Sequence, residues 1–198
     1  LCDLTDVEAV ERLIDDNTCC LFLEIMTNPQ LEVVDVRALT ALAHQHGIPV
    51  IADTTLIPFT QFSAKDLGID LEVVSSTKYI SGGATSLGGL VIDYGTFPSI
   101  GKRLLNEMLF NLGAYMTPQV AYMQTLGLET LDVRYRAQAG NALELAQRLR
   151  TLKPISKVNY VGLEDNPYHQ LAVSQYGETA GAMVTIDLES QEACFRML

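Results

Sequence analysis

Apolar residues gather in four short runs along the first half of the chain: Cys20-Leu21-Phe22-Leu23, Pro49-Val50-Ile51-Ala52, Leu71-Glu72-Val73-Val74 and Gly89-Leu90-Val91-Ile92. Runs this short, and continuous rather than alternating, predict strands covered on both faces, as in the parallel-rich sheets of α/β folds. Between the first two runs the period becomes helical. Asp35 stands where an N-cap belongs, Val36, Leu39, Leu42 and Ala43 mark one face, and Gly47 sits where a helix commonly ends. Strand, helix, strand in that order predicts a right-handed βαβ crossover. Phe62 to Leu67 reads as a short helix before the third strand. From Thr117 to Leu152 the pattern is helical, punctuated by Gly127 and Gly140, until Lys153-Pro154 ends it. Val158 to Val161 and Ala182 to Ile186 read as strands of a new layer, which places a domain boundary near Pro154 and divides the chain into 1–153 and 154–198.

Composition narrows the function classes. With 198 residues, 48% of them apolar and 19% charged, the chain can bury a substantial core. The formal net charge of −11 is the reverse of what phosphate contacts need, and Lys78 with the Lys102-Arg103 pair makes no basic stripe, so no nucleic-acid partner is expected. Cys2, Cys19, Cys20 and Cys194 form no C-x-x-C pair and share no zinc spacing with histidine. No metal site is expected, and a reducing, cytoplasmic setting fits. No apolar run approaches membrane-spanning length, so no membrane partner is expected either. The chain opens on Leu, and Ala193 to Leu198 reads as a helix cut off in mid-pattern, which suggests a piece of a longer protein.

In open α/β sheets, ligands gather at the carboxyl ends of the strands. Each of the first three predicted strands delivers polar residues there: Glu24 and Asn28-Pro29, then Asp53-Thr54-Thr55, then Ser75-Ser76-Thr77-Lys78. A lone lysine after a strand is most often a solvated loop residue. Behind the apolar Val73-Val74, however, Lys78 would be desolvated and its amine made a usable nucleophile and base. Ser75 and Thr77 would face one side of an extended strand and bind one anion, or else cap a turn. Asp53 would need a cationic partner if buried, or would cap the next helix. Lysine with aspartate is the pair that pyridoxal 5'-phosphate (PLP) chemistry uses. No G-x-G-x-x-G follows the first strand and no P-loop is present, which argues against a nucleotide-binding domain.

The order of these pieces resembles a known family. Thr27-Asn28-Pro29 with Val33-Val34-Asp35, Ile51-Ala52-Asp53-Thr54-Thr55, Ser75-Ser76-Thr77-Lys78-Tyr79, Gly88-Gly89 and Val158-Asn159-Tyr160-Val161-Gly162-Leu163-Glu164-Asp165 are similar to the Cys/Met metabolism PLP-dependent enzymes. That group includes cystathionine γ-synthase, cystathionine and methionine γ-lyases and O-acetylhomoserine sulfhydrylase. The resemblance implies a type I PLP-enzyme large domain, mainly a parallel sheet flanked by helices, followed by the start of a small C-terminal α/β domain.

By the same resemblance Lys78 carries the cofactor and acts as catalytic base, and Asp53 holds the pyridine nitrogen. Ser75 and Thr77 bind the phosphate, Asn28 lies near the 3-oxygen and Thr55 packs close to the ring. The stretch Ser81 to Gly89, with Ile92-Asp93-Tyr94-Gly95, looks most like the sulfhydrylase branch. That implies γ-replacement on an O-acylhomoserine by a thiol or sulfide, with γ-elimination by a methionine or cystathionine γ-lyase as the alternative. A non-catalytic α/β assembly module is the reading of another class. Tyr115, Met116, Tyr122, Tyr135 and Met123 suggest an interface in a homo-oligomer, a dimer or tetramer. Family members run about twice this length, with further cofactor and substrate residues in the remaining parts, so this chain alone is expected to bind PLP poorly. His44 and His46 read as helix-end residues, and Tyr168-His169 as surface loop.

Overall fold

The computed structural model describes residues 1–179 and 181–197. Strands β1 (Leu21–Glu24), β2 (Val50–Asp53) and β3 (Leu71–Val74) lie parallel, with Leu21 opposite Val50 and Ile51 opposite Leu71. Strand β4 (Leu90–Asp93) joins β3 antiparallel, giving the order β1-β2-β3-β4. A short helix, α1 (Val7–Glu11), precedes β1. Helix α2 (Val36–Gln45) makes the β1-to-β2 crossover, and Asp35 caps it as expected, its carboxylate accepting from Ala38 N at 3.0 Å. Gly47 follows at φ 68°, the left-handed conformation that glycine adopts without steric cost.

The apolar face of α2 packs on the sheet. Val36, Leu39 and Ala43 are fully buried with Leu23, Val50 and Ala52 in one core cluster. Burying a side chain such as Leu39 contributes about 2–3 kcal/mol. Coverage of both faces holds only for the inner strands. β1 and β4 are the outer strands of the described sheet, and Phe22 and Val91 are 60% and 56% exposed. Continuous apolar sequence therefore overstated the burial of the edges.

Under the sheet, on the α2 side, two acidic groups are buried. Glu72 on β3 accepts from Thr54 Oγ1 and Tyr94 Oη, both at 2.6 Å. Asp70 accepts from Val50 N at 2.7 Å and pairs with His44 Nε2 at 2.9 Å, so His44 is a strand-to-helix tie as well as a helix-end residue.

The predicted helix over Phe62–Leu67 is a single 3₁₀ turn, Lys65–Leu67. A helix that the apolar pattern did not suggest, α3 (Pro98–Arg103), continues into a π-helical stretch over Leu104–Asn111, and neither buries a residue. The long helical region is two helices, α4 (Pro118–Glu129) and α5 (Leu131–Leu149), which break at Thr130 rather than at a glycine. Gly140 lies inside α5 with open space around it. Gly127 is required for another reason, since a Cβ there would stand 2.0 Å from the Ile80 carbonyl oxygen.

Beyond α5 a separate antiparallel ribbon forms from β5 (Ile155–Asn159) and β6 (Thr185–Leu188), the first beginning three residues before and the second three residues after the positions expected. Helix α6 (His169–Tyr176) lies between them and returns to the main core through Ala172 and Tyr176. Its Gln175 accepts from Val36 N at 2.8 Å and donates to the Val34 carbonyl at 3.0 Å. Tyr168 and His169 are half-buried at the start of α6, and His169 Nδ1 sits 2.9 Å from the Val161 carbonyl, so they are not the surface loop that their sequence suggested. The terminal helix, α7, spans Gln191–Met197, and Leu198 lies outside the described residues. No helix among the described residues is long and apolar enough to cross a membrane.

Candidate active site

Because β1, β2 and β3 are parallel, their carboxyl ends open on the same side, and a 330 Å³ cleft lies there. Five of the six residues expected at the site line it: Asn28, Asp53, Thr55, Ser75 and Lys78. Its volume is near the lower end of the ~300–1,000 Å³ usual for small-molecule sites.

Asp53 closes β2 on the face opposite Ala52 and Thr54. It is half-buried, and its Oδ1 accepts from Thr55 N at 2.8 Å, so one oxygen caps the turn that follows, where no helix begins. The other oxygen makes no hydrogen bond or ion pair among the described residues. Thr55 ties strand to strand, since its Oγ1 accepts from Ser75 N at 2.9 Å. The Ser75 hydroxyl has no such partner and faces the cleft. Asn28 is exposed at the rim, its N–H donating to Glu24 at 3.4 Å.

Lys78 follows β3 by four residues, in a turn closed by its own N–H to the Ser75 carbonyl at 3.1 Å. This turn leaves the sheet, so the side chain stands at the mouth of the cleft. It is exposed rather than desolvated, which corrects the expected burial. It forms no ion pair among the described residues, although Asp53 and Glu24 line the same cleft.

Thr77 is the residue the structure does not bring in. The chain is already turning after Ser75, so Ser75 and Thr77 do not share a strand face. The Thr77 hydroxyl donates to the Gly88 carbonyl at 3.2 Å and accepts from Gly88 N at 3.0 Å, clasping the base of the loop between them. Its proton is thus already engaged within the fold.

Four lining residues had been given no role: Glu24, Leu56, Tyr79 and Met183. Glu24 ends β1. Tyr79 follows the lysine, packs edge-on against Tyr135 at a centroid distance of 5.1 Å, and has its hydroxyl pushed to higher pKa by burial. Met183 arrives from the segment before β6, and no local signal marks it. Among the described residues no three His, Cys, Asp or Glu side chains gather to hold a metal.

The donor set suits PLP. Among the described residues, an amine without an acid partner, a carboxylate with one free oxygen and a free hydroxyl surround one cleft. The family of Cys/Met metabolism PLP-dependent enzymes matches residues 1–198. The chain belongs to this family. Among its PLP-dependent relatives, a canavanine γ-lyase of Pseudomonas canavaninivorans is 37% identical over 183 residues, covering 92% of this chain and 45% of that protein. The O-acetylhomoserine sulfhydrylase of Wolinella succinogenes superposes with a TM-score of 0.84 at 38% identity, over 98% of this chain and 61% of that one. A Campylobacter jejuni protein assigned as an O-acetylhomoserine (thiol)-lyase, solved with a pyridoxyl-lysine monophosphate, gives 0.92 at 29% identity, over 98% and 56%. The chain spans about half the length of the curated relatives it matches.

Proposed function

We propose that this chain forms the PLP-holding part of an enzyme that performs γ-replacement on an O-acylhomoserine, with a thiol or sulfide as the incoming group. One observation carries the reading: among the described residues, an amine free of any acid and a carboxylate with one free oxygen share a cleft at the carboxyl ends of parallel strands.

When bound, PLP supplies a ring that withdraws the electron pair left at the substrate's Cα. The chain's residues do the rest. Lys78 would hold the cofactor, and its free amine would take the Cα proton of the substrate. The same amine then moves a proton at Cβ, as departure of a γ-substituent requires. Asp53 would keep a proton on the pyridine nitrogen through its second oxygen, while its first oxygen, held by Thr55 N, fixes the carboxylate. Ser75 would hold the phosphate, and Asn28 and Thr55 would hold the ring from the cleft walls they line. Thr77, engaged with Gly88, is assigned to holding the lysine loop closed.

The Ser81–Gly89 loop and the sulfhydrylase names of the Wolinella and Campylobacter proteins support replacement. The canavanine γ-lyase relative supports the second reading, γ-elimination. A homo-oligomer, cytoplasmic location and a division at Lys153-Pro154 belong to the same proposal. Leu105, Phe110, Leu112, Tyr115 and Tyr122 are all at least 60% exposed along one stretch, as a self-association surface requires. The separate β5–β6 ribbon supports the division, and the packing of α6 into the main core weighs against it.

In the protein that carries this chain, Lys78→Ala is expected to remove the visible absorbance of bound cofactor together with activity. Retention of both defeats the reading in favour of a non-catalytic module. O-acetylhomoserine with sulfide should be converted. Release of 2-oxobutyrate from methionine alone selects elimination.

A further inference from the structure

One turn of α5 reaches three walls of the cleft. Arg134 is half-buried and donates from Nη1 to the Tyr79 carbonyl at 2.9 Å, from Nη2 to the Gly127 carbonyl at 2.7 Å and from Nε to Thr130 Oγ1 at 3.0 Å. Its guanidinium also lies against Gly82, where an added Cβ would come within 3.4 Å of Cζ. The next residue, Tyr135, is fully buried. Its hydroxyl donates to the Leu56 carbonyl and accepts from Gly181 N, both at 3.1 Å, while its ring supports Tyr79.

Three of these partners lie in or beside the cleft lining, whereas Gly127 and Thr130 do not. Tyr79 follows Lys78, Leu56 follows Thr55, and Gly181 lies two residues before Met183. The lysine turn, the aspartate turn and the Met183 segment come from distant parts of the sequence and share no strand. The β2–β3 pairing and the Thr55–Ser75 bond already join the first two, and all three are further tied to one rigid element, the α5 backbone carrying Arg134 and Tyr135. A guanidinium suits the first position because its planar fork serves three acceptors at once, which a lysine ammonium on a flexible stem does not. A buried tyrosine suits the second because burial raises its pKa and keeps the hydroxyl proton available to Leu56.

We propose that Arg134 and Tyr135 are positioning residues that fix the distance between Lys78 and the Asp53–Thr55 wall without touching the bound molecule. This rests on the reading of the cleft as the PLP site. It assigns a role to Arg134, which sequence patterning leaves within a helix face, and corrects the interface role expected of Tyr135, whose side chain is fully buried and unavailable to a partner subunit.

The test uses Arg134→Lys and Tyr135→Phe in the protein that carries this chain, with Ala146→Gly as a control. Ala146 is fully buried further along α5, away from the cleft, so glycine there lowers stability without touching the ties. Thermal unfolding of the cofactor-free protein reports folding, and titration with PLP reports affinity. Both positioning variants should fold and bind PLP about tenfold more weakly, since each loses hydrogen bonds that hold a wall in place. The control should unfold at lower temperature with unchanged PLP affinity, which a purely structural role for α5 does not predict. Equal affinity in wild type and both variants overturns the proposal, as does a control weakened as much as they are.

Should Arg134→Lys not fold, Tyr135→Phe, which removes one oxygen, decides. If the wild-type protein takes up no PLP, the cofactor reading fails. The positioning claim is then judged by hydrogen exchange at Ile57 and Gly82, whose N–H groups close the two turns. Faster exchange in the variants upholds it, and unchanged exchange refutes it.

Discussion

Asp53 and Glu72 are two carboxylates on neighbouring strands, one register step apart, and they face opposite sides of the same sheet. Glu72 is fully buried and saturated by two short hydroxyl bonds. Asp53 is half-buried and only half satisfied, with one oxygen held by its own turn and the other free above a cleft. Burying a charge is tolerated when every lone pair that counts has a donor, and Glu72 meets that condition within the fold. Asp53 meets it only if something else brings a proton. The difference separates a carboxylate that holds strands together from one that waits for a ligand, although both occur at the same depth in sequence.

Substitutions test this contrast directly. Asp53→Asn should lower turnover by about 10²–10³-fold, the scale of losing one preorganised electrostatic group, while barely moving the unfolding midpoint. Steady-state kinetics beside thermal denaturation measures both, and the contrast breaks if stability falls and turnover does not. Glu72→Ala should do the reverse. It leaves the Thr54 and Tyr94 hydroxyls without an acceptor and opens a void, for a loss of about 2–3 kcal/mol in urea unfolding, with PLP affinity unchanged.

Gly127→Ala sharpens a third region. The new methyl meets the Ile80 carbonyl behind the lysine loop, and overpacking of this kind costs roughly 1–2 kcal/mol by the same assay. Smallest is Tyr94→Phe, at about 1 kcal/mol near neutral pH.

This last variant also carries a pH signature. Burial and the Glu72 carboxylate raise the Tyr94 pKa above its ordinary 10.0, and burial pushes Tyr160 up to about 12. A tyrosine with a raised folded-state pKa contributes stability that is complete below about pH 10. That contribution is lost as pH climbs toward the folded value, because the unfolded chain releases the proton first. Unfolding free energy should therefore decline above about pH 10, and less steeply in Tyr94→Phe. An equal slope in the variant would mean that the Glu72 pairing does not act on Tyr94.

Much of the site could be read from the residues. Asp53, Ser75 and Lys78 stood at strand ends, and strand ends follow from apolar runs, so the β1–β3 loops converged as expected. The capping of α2 was equally local and equally legible. What failed depended on geometry that spacing does not carry. Thr77 was assigned to the cleft by strand alternation, and the chain turned one residue too early for that rule to reach it. Lys78 was expected to be buried because Val73 and Val74 are apolar, yet the turn carries it outward. Glu72 was passed over inside an apolar run because nothing local reveals that Thr54 and Tyr94 converge on it. Met183, Arg134 and Tyr135 reach the cleft only through tertiary packing.

The central claim is that the Lys78 amine is the one that takes the cofactor. Incubating the protein with PLP, reducing with borohydride and mapping the pyridoxyl group by peptide mass spectrometry tests it. The account predicts one labelled peptide, with the label on Lys78. A label on Lys65, Lys102, Lys153 or Lys157 in its place, or none at all, contradicts it.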